Sequence, residues 1–111
     1  MRTDALGEFE QLVLLAILRV SPDAYGVTIR TEIEERTGRS VAIGALYTAL
    51  DRLERKGYVS SSMSDSTPQR GGRAKRYYKL RAAGAAALKR SRRALESMWA
   101  GIASDLSGGR S

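Results

Sequence analysis

Residues 43–59, IGALYTALDRLERKGYV, restrict the fold more than any other stretch of the chain. Wound as a helix, they put Leu46, Leu50 and Leu53 on one face, at the i, i+4, i+7 spacing of a buried stripe. The opposite face carries Gly44, Ala45, Thr48, Asp51, Arg52 and Arg55. The first turn is small and uncharged, the last turns are basic, and Gly57 offers a C-terminal stop. Such a helix suits two roles. It is an ordinary amphipathic surface helix, or it is a probe whose tip approaches base edges in a DNA major groove while its flank meets phosphates. The segments around it discriminate between the two.

Directly after Gly57, residues 58–63 (YVSSSM) have the composition of a strand. Residues 64–72 (SDSTPQRGG) are rich in turn formers, and residues 73–80 (RAKRYYKL) read as the returning strand. The tip and return strand of this hairpin carry Arg70, Arg73, Lys75, Arg76 and Lys79. An isolated basic hairpin is usually solvated surface. One that follows a basic, small-tipped helix is instead the wing of a winged helix, lying along the phosphate backbone or reaching an adjacent minor groove.

Upstream, EFEQLVLLAILRV predicts a first helix from Gly7 or Glu8 to Val20, acidic in its first turn and with Arg19 in its last. Phe9, Leu12, Val13, Ala16, Ile17 and Val20 form one stripe, and Leu14, Leu15 and Leu18 fill much of the other side. A helix apolar nearly all round has to be buried on two sides, either in the core of one chain or against a second subunit. Ser21-Pro22 breaks the pattern. Residues 24–37 predict a second helix, with Asp23 as its N-cap, Gly38 as its stop and Tyr25, Ile29 and Ile33 on its buried face. Its Glu32, Glu34, Glu35, Arg30 and Arg36 read as a solvated charged face. Two helices joined by a short link, the second one basic and small-tipped, are in helix-turn-helix order.

From residue 81 to about 106 the chain turns alanine-rich and helical, with an expected length of roughly 39 Å. Leu88, Leu95, Trp99, Ile102 and Leu106 make its apolar stripe, with Met98 and Ala103 beside it. A stripe that long exceeds what the rest of the domain can cover, and a second copy of the same helix is the simplest partner. Trp99 fills that interface or forms the aromatic wall of an effector pocket. The expected organisation is a winged helix-turn-helix domain over residues 1–80, a C-terminal dimerisation helix over 81–107 and a disordered tail over 108–111. The fold class is mainly α with a small β-hairpin.

Charge and composition narrow the function. The net charge is +7, and it is unevenly spread. Residues 1–65 hold 8 Lys/Arg against 10 Asp/Glu, whereas residues 66–111 hold 11 against 2. A basic half of this kind is an electrostatic footprint for a polyanion. The chain has no cysteine and no histidine, which removes disulfides, thiol chemistry, His-dependent triads and the commonest metal ligands. The acidic residues stand singly or along one helix face, so neither an enzyme nor a cofactor or metal site is expected. The longest apolar run, residues 12–18, is far short of a membrane span, and acidic residues crowd the N-terminus. A cytoplasmic protein without membrane contact is expected.

Taken as a set, LGEFEQLVLLAIL, the DAYG turn at residues 23–26, GALYTALDRLERKGYV and GGRAKRYYKL resemble the PadR family of bacterial transcriptional regulators. The likeness is greatest to the short members with a single C-terminal helix, and it spans about residues 6–100. It implies a homodimeric winged-helix repressor whose first and last helices form the dimer interface, in a family where some members bind small aromatic effectors. By that pattern Tyr47, Thr48 and Arg52 contact DNA from the third helix, and Arg73, Lys75 and Arg76 from the wing. Family members often carry Ser or Thr where this chain has Ala42, and Thr where it has Arg81. Both are N-cap places, and a missing cap costs ~1 kcal/mol. Ser40 is an alternative cap, which would move the start of the third helix by two residues.

The expected DNA contacts are therefore Gly44, Ala45, Tyr47, Thr48, Arg52, Arg70, Arg73, Lys75 and Arg76. Arg52, Arg73, Lys75 and Arg76 face phosphates, and Ala45 and Thr48 face thymine methyls or base edges. The expected dimer contacts are Phe9, Val13, Ile17, Leu88, Leu95, Trp99 and Ile102. The alternative is a winged helix used as a protein-interaction or RNA-binding module, its wing charge meeting an acidic protein or an A-form duplex.

Overall fold

A computed structural model describes residues 5–64 and 74–102. The chain runs α1 (Glu8–Val20), α2 (Gly26–Thr37), α3 (Ile43–Arg55), β1 (Val59–Met63), β2 (Arg76–Leu80) and α4 (Ala82–Trp99). The two strands form one antiparallel hairpin, with Val59 opposite Leu80 and Met63 opposite Arg76. This is a helix-turn-helix followed by a wing and a terminal helix.

Helix α1 is the hub, packing against α2, α3, β2 and α4. Its Val13, Leu14 and Ile17 are fully buried together with Ile29 of α2, Leu46, Leu50 and Leu53 of α3, and Val59 of β1. The predicted stripe of α3 is therefore the face that enters the core. Ion pairs clamp the rim: Glu32 of α2 accepts from Arg19 of α1 at 3.0 Å and from Arg36 at 2.6 Å. Glu34 accepts the backbone N–H of Val41 at 2.8 Å, which fixes the turn into α3.

Helix starts differ from the sequence expectation where the backbone is used elsewhere. The N–H of Tyr78 in β2 donates to the Ala24 carbonyl at 2.8 Å, so Ala24 lies alongside the hairpin and cannot also be helical. Helix α2 therefore begins at Gly26, with Tyr25 rather than Asp23 as N-cap. The Thr28 hydroxyl accepts the Tyr25 N–H at 3.1 Å and donates to the Asp23 carbonyl. The stop at Gly38 is as expected, in the left-handed region at φ 74°. Helix α3 begins after Ala42 and α4 after Arg81, neither with a side-chain cap, so Ser40 does not move the start of α3.

The terminal helix is shorter than its composition suggests. It ends at Trp99, and Gly101, at φ 85°, turns the chain away. Its 18 residues span about 27 Å. Ile102 lies past the helix end in a turn, while Ala103, Leu106 and the tail at 108–111 lie outside the described residues. The first turn of α4 is pressed against the chain entering β1. A Cβ on Gly84 would stand 2.4 Å from the Tyr58 carbonyl oxygen, which in turn accepts the Arg81 N–H at 2.9 Å.

Candidate nucleic-acid interface

The buried stripe of α3 forces its other residues outward, and Gly44, Ala45, Tyr47, Thr48, Asp51, Arg52 and Arg55 are all exposed. Among the described residues nothing lies within 4 Å of the position a Cβ would take on Gly44, so the start of this face is open. Tyr47 stands to one side with its hydroxyl against Gly26, where a Cβ would meet it at 2.1 Å. The glycine of the DAYG turn is thus the seat of the tyrosine of α3.

The wing is tied to both neighbouring helices. Arg76 Nη1 donates to Ser61 Oγ at 2.9 Å, and Ser61 Oγ donates to Glu54 Oε2 of α3 at 2.8 Å. Lys75 Nζ sits 4.3 Å from the centre of the Tyr25 ring, and Tyr77 meets the same ring edge-on at 5.3 Å. Tyr25, expected on the buried face of α2, is instead a half-buried post between α2 and the wing. Ser64 and Lys75 close the described part of the hairpin by two hydrogen bonds. Arg70, expected at the wing tip, and Arg73, expected at the start of the returning strand, lie outside the described residues.

Arg52 is not a free flanking cation. Its Nε donates to Glu10 Oε2 of α1 at 3.0 Å, and Lys56 Nζ stands 3.4 Å from the same oxygen. Burial works against the charge on Glu10, yet the Gly7 N–H, Arg52 and Lys56 together outweigh it and hold the carboxyl below the usual carboxylate range. Arg55, absent from the expected contacts, is exposed on the outer face without an ion pair to any described residue. Its position seven residues after Thr48 puts the two on one helix face, a spacing legible in the sequence.

The residues expected at a subunit contact separate into two groups. Val13 and Ile17 are enclosed within the single chain, and Phe9 and Leu88 pack partly against its core. Complete burial in one chain leaves Val13 and Ile17 no surface for a partner, which corrects their assignment. Leu95, Trp99 and Ile102 remain exposed, as do Leu15 and Leu18 on the outer side of α1. Between α1 and α4 runs an apolar groove of about 540 Å³ lined by Leu15, Leu18, Leu88, Leu95 and Trp99, with Arg92 and Glu96 on its rim. Among the described residues no group of acidic side chains could hold a metal, and no helix is long and apolar enough to cross a membrane.

The likeness of the whole chain to known proteins agrees with this layout. A PadR family transcription regulator from hypervirulent Clostridium difficile R20291 superposes with a TM-score of 0.73 at 25% identity, covering 91% of this chain and 100% of that one. The hsRosR–S1 complex gives a TM-score of 0.67 at 29% identity over 89% of this chain and 80% of that chain. A PadR-like transcriptional regulator from Bacillus cereus shares the fold at 18% identity and a TM-score of 0.70, over 90% and 92% of the two chains. A search of curated proteins found no match. Residues 14–90 match the model of the transcriptional regulator PadR-like family, and that match includes α2, α3, the wing and most of α1. The chain therefore belongs to the PadR-like family, a regulator of transcription and not an enzyme.

Proposed function

We propose that the chain is a homodimeric repressor that binds one near-palindromic DNA operator. The open outer face of α3, flanked by the basic wing, is the observation that carries this reading. Gly44, Ala45 and Thr48 meet base edges in the major groove, Tyr47 borders them, and Arg52 and Arg55 meet phosphates. Lys75 and Arg76, with Arg70 and Arg73 of the same wing, lie on the flanking backbone. Two subunits pair through the groove between α1 and α4 and set their α3 helices about one helical turn, ~34 Å, apart. Such a protein works where the DNA is, in the cytoplasm.

Planar aromatic compounds are the effector class that suits the groove, with Trp99 as one wall. The test is a gel shift on the duplex upstream of the chain's own gene, with RNA as competitor, while Trp99 fluorescence is followed during addition of aromatic compounds. Retardation resistant to RNA, released by a compound that quenches Trp99, is the expected result. Competition by RNA at equal concentration would favour an RNA-binding module instead. Retardation with no quenching across a broad panel would leave a repressor without an aromatic effector.

A further inference from the structure

Glu10 is the only charged residue buried among the described residues, and it belongs to α1 rather than to any DNA-facing element. Its Oε1 accepts the Gly7 N–H at 3.0 Å, and its Oε2 accepts Arg52 Nε at 3.0 Å. Lys56 Nζ approaches the two oxygens at 3.5 and 3.4 Å. A carboxylate is costly to bury, and a single cation would be enough to neutralise it. This one instead gathers two cations one turn apart, Arg52 in the last turn of α3 and Lys56 at its C-cap, where they would otherwise repel each other. Among the described residues only Nε of Arg52 is committed, and the side chain is still 49% exposed. A guanidinium carries further donors on its two Nη atoms in a rigid fork, so holding one edge aims the other.

We infer that Glu10 is a positioning residue for DNA binding: it anchors Arg52 by Nε and presents the Nη edge to a backbone phosphate beside the groove that α3 enters. The inference rests on the DNA-binding reading above. Simple electrostatics predicts the reverse sign. Glu10→Gln raises the net charge of the cluster from +1 to +2, which by itself tightens binding to a polyanion. Positioning predicts that the same change weakens binding, because Arg52 must then be ordered by the phosphate alone. A purely structural ion pair would lower stability and leave DNA affinity unchanged or improved.

The experiment measures operator affinity across salt concentrations for the full chain and four variants: Glu10→Gln, Arg52→Ala, Arg52→Lys and the Glu10→Gln/Arg52→Ala double. Each is assayed well below its melting temperature. We expect about tenfold weaker binding for Glu10→Gln and for Arg52→Ala. The double should be no weaker than Arg52→Ala, since both changes remove one contact. Arg52→Lys, which keeps the charge but loses the fork, should resemble Arg52→Ala. That exposed substitution decides the matter should Glu10→Gln fail to fold. Equal or tighter binding by Glu10→Gln, full affinity in Arg52→Lys, or additive losses in the double would each overturn the inference while DNA binding stands. A full chain that binds no duplex would instead bring down the DNA-binding reading, and this inference with it.

Discussion

At Gly44 two demands oppose each other. A glycine inside a helix costs about 1 kcal/mol relative to alanine. At this site neither packing nor a positive φ requires it, since nothing stands within 4 Å of an added Cβ. In the proposed complex, close approach of a base edge supplies a reason. Gly44→Ala is expected to stabilise the free protein by about 0.5–1 kcal/mol, raising its melting temperature by a few degrees. The same variant should bind its operator more weakly, because the new methyl group occupies the space of the approaching base. Thermal melts and gel shifts on one preparation check both signs, and a stabilised variant with undiminished affinity would remove Gly44 from the contact surface. The outward face of α3 was readable from spacing alone, because a buried stripe fixes what faces away. The engagement of Arg52 was not readable. Its partner Glu10 is 42 positions upstream, and no local pattern joins an acidic residue in the first turn of one helix to a base on another.

Among the elements, the helices whose signals are local came out as the sequence implied, and those shaped by distant backbone did not. Helix α1 lies where apolar period, acidic first turn and basic last turn place it, and α3 where apolar period, small first turn and basic last turn do. The start of α2 moved because Ala24 gives its carbonyl to Tyr78, a bond whose other half is 54 positions away. The end of α4 moved because the run after Trp99 keeps helical composition while the backbone leaves the helix at Ala100, with ψ 128°, and turns on at Gly101. The position of α4 itself depends on Gly84. There the added Cβ would meet backbone oxygen of Tyr58, which cannot swing aside as a side chain would. Gly84→Ala should thus cost about 1–3 kcal/mol through overpacking, even though alanine is the better helix former. Urea unfolding of Gly84→Ala beside Gly44→Ala reads the contrast: opposite signs are expected for one substitution in two helices. A gain at Gly84 would mean that α4 sits farther from the turn before β1.

Over the whole molecule, what remains exposed argues for a second subunit. Only Gly84 and Ala87 of α4 are buried, and from Arg92 onward every residue of the helix is open to solvent. Leu95 is 54% exposed and Trp99 46%, facing the groove whose other wall carries Leu15 at 45% and Leu18 at 52%. Contiguous apolar surface of this kind on a small chain marks an interface. The proposed two-fold arrangement would turn it inward and at the same time hold two α3 helices at a fixed separation. In the proposed dimer, affinity for the operator depends on pairing: joining two half-site contacts raises overall affinity by about 10²–10⁴ with no new contact to DNA. Leu95→Glu puts a charge into the proposed seam without touching the core or α3. It should sediment at half the mass of the parent chain and keep its helical circular dichroism. Its operator affinity should fall by at least about 100-fold, while its affinity for an isolated half-site stays that of one subunit. A parent chain that sediments as a single subunit, or a Leu95→Glu variant that stays paired, would show that the groove between α1 and α4 is not where two copies meet.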